Sequence, residues 1–295
     1  MPHTWDPERY LTYADERGRP FVELLARVGA AEPTRVLDLG CGPGNLTTLL
    51  RARWPEAEIS GIDSSPEMIA RARAADPLID FAVHDLRAWA RIGRPVDVLV
   101  SNATLQWVPG HLDLLPALVD RVRPGGWLAF QVPGNFAEPS HMIRTELAAE
   151  APYADHTRDV AVPSSHAPAV YLDALTALHC RVDAWETTYL HVLSGPDPVF
   201  TWVSGTGARP TIQALPDDLR PGFEDEFQRR LRAAYPERDG RVVLPFRRVF
   251  VAAEVSTGST TVAGSTDGAG STDGAGSTDG AGSTDGAGST NGAGS

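Results

Sequence analysis

Three acids close three strand-like runs, and the first is followed at once by alternating glycines. In Val36-Leu37-Asp38-Leu39-Gly40-Cys41-Gly42-Pro43-Gly44-Asn45, apolar residues lead into a turn with glycine at 40, 42 and 44. Glycine removes each Cβ, so the backbone there can turn sharply and touch a ligand directly. Asp38 stands beside that turn, where a carboxylate repels a pyrophosphate but attracts an ammonium or a sulfonium. Glu58 to Ser65 is a second run, and it ends at Asp63, an acid placed to accept both ribose hydroxyls. A third, Ile79 to Leu86, closes on Asp85, which suits an adenine amino group. A fourth, Val96 to Asn102, brings small polar residues beneath the ligand. Any one acid could instead cap the helix that follows it. Three in this order behind the glycine turn point to S-adenosylmethionine, with Gly40, Cys41, Gly42, Ser64, Leu86 and Asn102 completing its expected contacts.

The elements that must position these residues alternate in type. Strands are expected near 35–39, 58–62, 79–83, 96–101 and 126–132, with helices near 45–53, 66–75, 86–90 and 111–122. Such alternation implies a doubly wound, mainly parallel α/β sheet with its ligands at the carboxyl ends of the strands. Arg123-Pro124-Gly125-Gly126 reads as a helix stop and turn before the fifth strand. Before the sheet, Glu16-Arg17-Gly18-Arg19-Pro20 leads into a helix with Phe21, Leu24, Leu25 and Val28 on one face. After it, residues 133–170 read as an insertion over the strand tips, with a helix near 139–150. A sixth strand spans Arg181 to Val192 and a seventh Phe246 to Val255, with helices near 196–206 and 217–234 between them. Cap segments are therefore expected near 1–30, 133–170 and 196–240, on one domain of residues 1–255.

Composition narrows the partners. The chain has 295 residues and a formal net charge of -12, from 38 acids and 26 bases, and every base except histidine is arginine. Removing the four aspartates beyond Ser256 from that total leaves -8 for residues 1–255. This balance argues against a nucleic-acid substrate, which requires basic patches. The two cysteines have no metal spacing, and a disulfide at Cys41 would block the ligand loop, so a reduced, cytoplasmic protein is expected. No secretory signal or membrane-spanning run is seen, and a monomer without a membrane partner is expected. From Ser256 the sequence turns to Gly, Ser, Thr, Ala and Asp. Ala-Gly-Ser-Thr-Asp-Gly recurs from Ala263, and Asn291 replaces Asp in the last copy. With no large apolar residue in the repeat to offset the entropy of ordering, residues 256–295 are expected to form a flexible tail.

No nucleophile elbow, metal motif or compact catalytic constellation is present, and the histidines are scattered along the chain. In-line methyl transfer needs chiefly alignment of its two reactants. A carboxylate acceptor, already ionised at neutral pH, needs no base.

Residues 4–254 resemble the trans-aconitate 2-methyltransferases, class I enzymes that use S-adenosylmethionine. The resemblance is carried by Trp5-Asp6-Pro7, Tyr10-Leu11, Glu16-Arg17, Arg19-Pro20 and Glu23 to Val28, then Asp38 to Asn45, Gly61 to Pro66 and Leu105-Gln106-Trp107. It continues through Glu138-Pro139, Thr187-Thr188-Tyr189, His191, Trp202-Val203, Thr206-Gly207 and Arg209-Pro210. The cofactor motifs mark only the superfamily, whereas the terminal runs mark this family. The resemblance implies a Rossmann-like seven-stranded sheet and esterification of one carboxylate of trans-aconitate. Another small carboxylic acid as acceptor, or a non-catalytic S-adenosylmethionine-binding protein, are the alternatives. Gln106, Trp107 and His191 are candidates for positioning, and Trp5 is placed at the cofactor. Two carboxylates of the acceptor need cations, for which Arg17, Arg19, Arg209 and Arg248 are the candidates, with Tyr10 beside them.

Overall fold

The computed structural model describes residues 14–257, with side chains from residue 18 onward. Seven strands lie in the order β3-β2-β1-β4-β5-β7-β6. They are β1 (Arg35–Leu39), β2 (Glu58–Asp63), β3 (Asp80–Val83), β4 (Val96–Asn102), β5 (Val122–Pro133), β6 (Cys180–Leu193) and β7 (Val242–Val255). The first five pair in parallel, and β7 runs antiparallel between β5 and β6. The order reverses between β1 and β4, neighbours that diverge to successive strands on either side. That opens a crevice beyond their carboxyl ends.

Helices cover both faces. On one side α1 (Ala14–Leu25), α2 (Thr47–Arg53) and α3 (Pro66–Ala75) enclose a core that includes Phe21, Leu24, Leu50, Ile69, Phe81 and Phe250. On the other, α4 (Leu86–Ile92), α5 (Leu115–Val119) and α8 (Pro168–Thr176) pack Leu115, Leu118, Tyr171 and Leu175 against Leu99, Leu128 and Phe130. Local chemistry starts two of these helices. The Ser65 hydroxyl accepts the Met68 amide at α3, where Pro66 supplies a preset first turn, and Asp85 accepts the Ala88 amide at α4.

A third core belongs to the cap. Here α6 (Pro139–Ala148), α9 (Pro198–Ser204), α10 (Arg209–Ala214) and α11 (Arg220–Ala234) gather Leu147, Trp202, Phe223, Phe227 and Leu231 around the outer ends of β6 and β7. Phe223 and Phe227, one turn apart on α11, are fully buried, each contributing about 1.5–3 kcal/mol. The short α7 (Ala154–Thr157) completes the insertion.

Several boundaries differ from expectation for physical reasons. Arg123-Pro124-Gly125-Gly126 lies within β5, because Val122 already pairs with Val96 and the next partners are Val98 and Trp127, which leaves a bulge on β5. The helix expected over 111–122 is a 3-10 turn, His111–Leu114, followed by the five residues of α5, before β5 opens at Val122. α1 runs through Pro20 instead of starting after it. α10 had no counterpart in the pattern, and β7 begins four residues before Phe246. Residues 1–13 and 258–295, including Trp5, Tyr10 and the repeats, lie outside the described residues.

Candidate active site

A cavity of about 510 Å³ opens over the carboxyl ends of β1, β2 and β4 and reaches under the cap. That volume suits a small-molecule ligand. At one end is the glycine turn, with left-handed backbone at Gly40 (φ 80) and Gly42 (φ 55). A Cβ on Gly40 would lie 2.2 Å from the Thr104 hydroxyl, so this glycine lets the loop after β4 close on the turn. A Cβ on Gly42 would meet nothing within 4 Å and would project into open space beside the cavity. The glycines thus do two different jobs.

Two carboxyls converge on this turn. Asp38 is buried and accepts the Thr47 hydroxyl at 2.6 Å. Burial pushes its pKa up to about 7, and the neighbouring Asp63 charge adds to that against the pull of the Thr47 hydrogen bond. Asp63 accepts the Gly42 amide at 3.0 Å and the Ser65 amide at 2.9 Å, and burial raises its pKa too. Two acids held at a cost so close together favour a cation between or beside them. Cys41 also lines the cavity, but burial pushes its thiol above the ordinary range, which makes it an apolar wall rather than a nucleophile. Asp85 spends one oxygen on the Ala88 amide, and Ser64, Leu86 and Asn102 complete this end of the lining. All nine described residues expected to hold the cofactor therefore meet in one cavity.

The floor between the two ends is strained. Ala103 follows β4 with φ 54, an uncommon conformation for a residue with a Cβ. Both of its backbone groups are tied, the amide to the Gln131 carbonyl at 2.9 Å and the carbonyl to Gln106 Nε2 at 2.6 Å. Gln106 thus holds the strand end in shape while lining the cavity, and Trp107 lines it as well. The oxygens of the buried Asn102 and Gln106 amides have no hydrogen-bond partner among the described residues. Both residues line the cavity, and the Gly42 opening with the paired acids fits S-adenosylmethionine.

The far end is the cap wall of Trp202, Phe246, Thr206 and Gly207, with Arg248. Arg248 is buried on β7 with its guanidinium over the Phe246 ring at 4.7 Å, and it donates to the Gln131 side-chain oxygen at 3.2 Å. The other arginine candidates are placed differently. Arg19 is exposed, paired with Glu23 at 2.7 Å and lying over the Tyr189 ring, and it is not among the cavity-lining residues. Arg209 opens α10 beside Gln213, whose amide oxygen, turned toward it, accepts from Nε at 3.0 Å, while the adjacent Pro210 lines the cavity. The Arg17 side chain lies outside the described residues. His191 stacks on Trp202 at 4.5 Å, behind the lining.

Asn135, Phe136 and His141 are among the cavity residues that had no signal in the sequence. A lone histidine or asparagine in a predicted insertion carries no periodicity or spacing, and only the cap's folding over the sheet brings them inward.

Comparison with known proteins agrees with this geometry. A family model described as a methyltransferase domain matches residues 10–173. A trans-aconitate 2-methyltransferase from Streptomyces avermitilis is 53% identical over 260 residues, covering 85% of this chain and 96% of its own length. One from Streptomyces coelicolor is 50% identical over 268 residues, covering 87% and 88%. Among solved structures, the YcgJ protein from Bacillus subtilis superposes with a TM-score of 0.54 at 12% identity over 81% of this chain and 99% of that one, a likeness of fold alone.

Proposed function

This chain belongs to the trans-aconitate 2-methyltransferase family, and on that premise we propose how its residues esterify the acceptor. When bound, S-adenosylmethionine supplies a sulfonium-activated methyl group. The reaction transfers that group to a carboxylate of trans-aconitate and gives the monomethyl ester and S-adenosylhomocysteine. Asp63 binds the ribose hydroxyls, the second oxygen of Asp85 receives the adenine amino group, and Asp38 faces the ammonium end. Gln106 keeps Ala103 in its strained turn, so the floor beneath the reacting atoms is rigid.

The observation that carries this reading is the polarity of the cavity. Acids gather at the glycine turn, where the lining arginine Arg87 is engaged with the Pro109 carbonyl, while a second arginine, Arg248, stands at the cap wall. A cationic donor and an anionic acceptor are thereby drawn to opposite ends and meet between them. Alignment supplies most of what such a displacement needs, and an ionised carboxylate has no proton to lose. Arg248 anchors a carboxylate that does not react. Trp5, Tyr10 and Arg17 are assigned to the same site by the family runs alone.

The excess of acids over bases supports a small-molecule acceptor over nucleic acid, and we read the enzyme as a cytoplasmic monomer. No helix among the described residues is long and apolar enough to cross a membrane. The methyltransferase domain takes up residues 1–255, followed by the repeat tail. Since Ser256 donates to the His179 carbonyl, a chain ending at Thr257 should keep full turnover. Lost activity in that shortened chain would assign the repeats a part in the fold.

Incubation with methyl-labelled donor and a panel of organic acids, followed by mass spectrometry, tests the whole reading. A labelled trans-aconitate monoester is expected. Labelling of a different acid alone, or none, would overturn the assignment.

A further inference from the structure

Behind the cap wall lies a charge that the mechanism above leaves unused. Arg144 on α6 is 4% exposed, and its Nη1 donates to the Gly207 carbonyl at 2.6 Å. Among the described residues its only other hydrogen bond is to the Thr145 hydroxyl, and no acid pairs with it. A buried cation without a counter-charge raises the potential of the space in front of it. The group in front is His141, one turn earlier on the same helix and part of the cavity lining.

His141 is fixed in place on two sides. Its ring meets Phe136 edge-on at 5.1 Å between centroids. On the other side it lies so close to Gly207 that a Cβ there would be 2.9 Å from the imidazole Cε1. Its nitrogens have no hydrogen-bond partner among the described residues. Asn135, just before Phe136, is 2% exposed and lines the same cavity, and its side-chain amide nitrogen is a neutral donor. Burial, with Arg144 adding to it, drives the imidazole pKa down to about 4, so the ring is neutral at working pH. A neutral imidazole still has one N–H to donate.

We propose that His141, with Asn135, receives the carboxylate that becomes methylated, and does so by hydrogen bonding rather than by an ion pair. The inference rests on the carboxylate-acceptor reading above. Its physical basis is the direction of charge flow. As the carboxylate oxygen bonds to the methyl group, its negative charge is lost together with the positive charge of the donor. A full cation against that oxygen would stabilise the reactant more than the transition state and would slow the reaction. Arg248 can therefore hold a spectator carboxylate, whereas the reacting one needs neutral donors. Arg144, outside the cavity lining, attracts the anion without touching it and adds to the burial that keeps His141 from becoming a cation. Gly207 is the residue that lets the imidazole lie against that helix junction.

Three variants separate this role from a structural one: His141→Phe, His141→Gln and His141→Arg. Binding of trans-aconitate is measured by calorimetry with S-adenosylhomocysteine present, S-adenosylhomocysteine binding separately, and turnover in parallel. His141→Phe is expected to weaken acceptor binding about tenfold, the loss of one hydrogen bond to a charged group, with S-adenosylhomocysteine affinity unchanged. Gln, which restores a neutral donor, should recover most of that loss. Arg should bind the acceptor at least as tightly as the parent yet turn over about tenfold or more slowly. Should His141→Phe misfold, as shown by its melting temperature, Asn135→Ala carries the same binding test. Unchanged acceptor binding in the Phe variant (or in Asn135→Ala, where that stands in), no recovery with Gln, or undiminished turnover with Arg would each overturn the proposal. A parent enzyme that binds a different carboxylic acid through His141 would overturn only the identity of the acceptor. A parent that binds none would overturn the carboxylate reading and this inference with it.

Discussion

Asp63 accepts the amide hydrogen of Gly42 at 3.0 Å, so the acid that closes β2 also fixes the tip of the glycine turn after β1. The group assigned to the ribose is therefore part of the loop's own frame. Asp63→Ala should cost S-adenosylhomocysteine roughly 1.5–3 kcal/mol of binding, the range for hydrogen bonds to a charged group. Asp63→Asn keeps an acceptor for Gly42 and should lose less. Calorimetry showing equal affinity for parent and a folded Ala variant would remove Asp63 from the ribose site.

Asp38 makes binding and stability depend on pH in opposite ways. Its folded pKa, about 7, lies above the ordinary carboxylate value of 3.8. Between these values the folded chain keeps a proton that the unfolded chain has released. Stability should then fall as pH rises through that window and level off above it, by ~4 kcal/mol for three units of pKa. An ammonium group favours the ionised acid, so S-adenosylhomocysteine should expel a proton on binding at pH 6 and not at pH 8.5. Calorimetry in two buffers of different ionisation enthalpy reads this directly. Asp38→Asn should abolish the buffer dependence, and a parent without any would contradict the account.

The arginine candidates divide by burial. Arg248→Ala should raise the acceptor KM strongly and leave S-adenosylhomocysteine affinity intact, with Lys recovering only part because a point charge lacks the guanidinium fork. Arg19→Ala should change neither, since Arg19 is exposed and engaged with Glu23 and Tyr189. Steady-state kinetics giving the reverse pattern would move the anchor to α1.

Gly40→Ala tests the loop closure. It places a Cβ at φ 80 and 2.2 Å from the Thr104 hydroxyl. The left-handed backbone alone costs about 1–2 kcal/mol, and the overlap adds to it. Urea unfolding should show a clearly lower midpoint and donor binding should weaken. An unchanged midpoint would mean that the Thr104 loop moves freely.

The sheet and its cofactor end were legible because their signals are local. Each of β1 to β4 lies within a residue or two of its apolar run; Asp38 and Asp63 fall in the last two residues of their strands and Asp85 two residues past its own. Legibility failed where the determinant is tertiary. Pro124 and Gly125 look like a turn, but Val122 has a partner in Val96 only because β4 is already there. Arg19 and Arg248 look alike in sequence and differ because one lies on an outer helical surface and the other on an interior strand. His141 gave no sign at all, since its importance depends on Arg144 behind it and Gly207 beside it.

The placement of β7 also orders events during synthesis. This last strand fills the gap between β5 and β6, so neither neighbour can complete its pairing until Val242–Val255 has been made. Contacts of such sequence separation are slow to form. Arg248 and the Phe246 ring beneath it arrive with the same strand. Without this strand β5 and β6 would each lack a neighbour and the cap wall would lack Arg248. Closing the sheet and bringing Arg248 to the cap wall thus depend on the same strand.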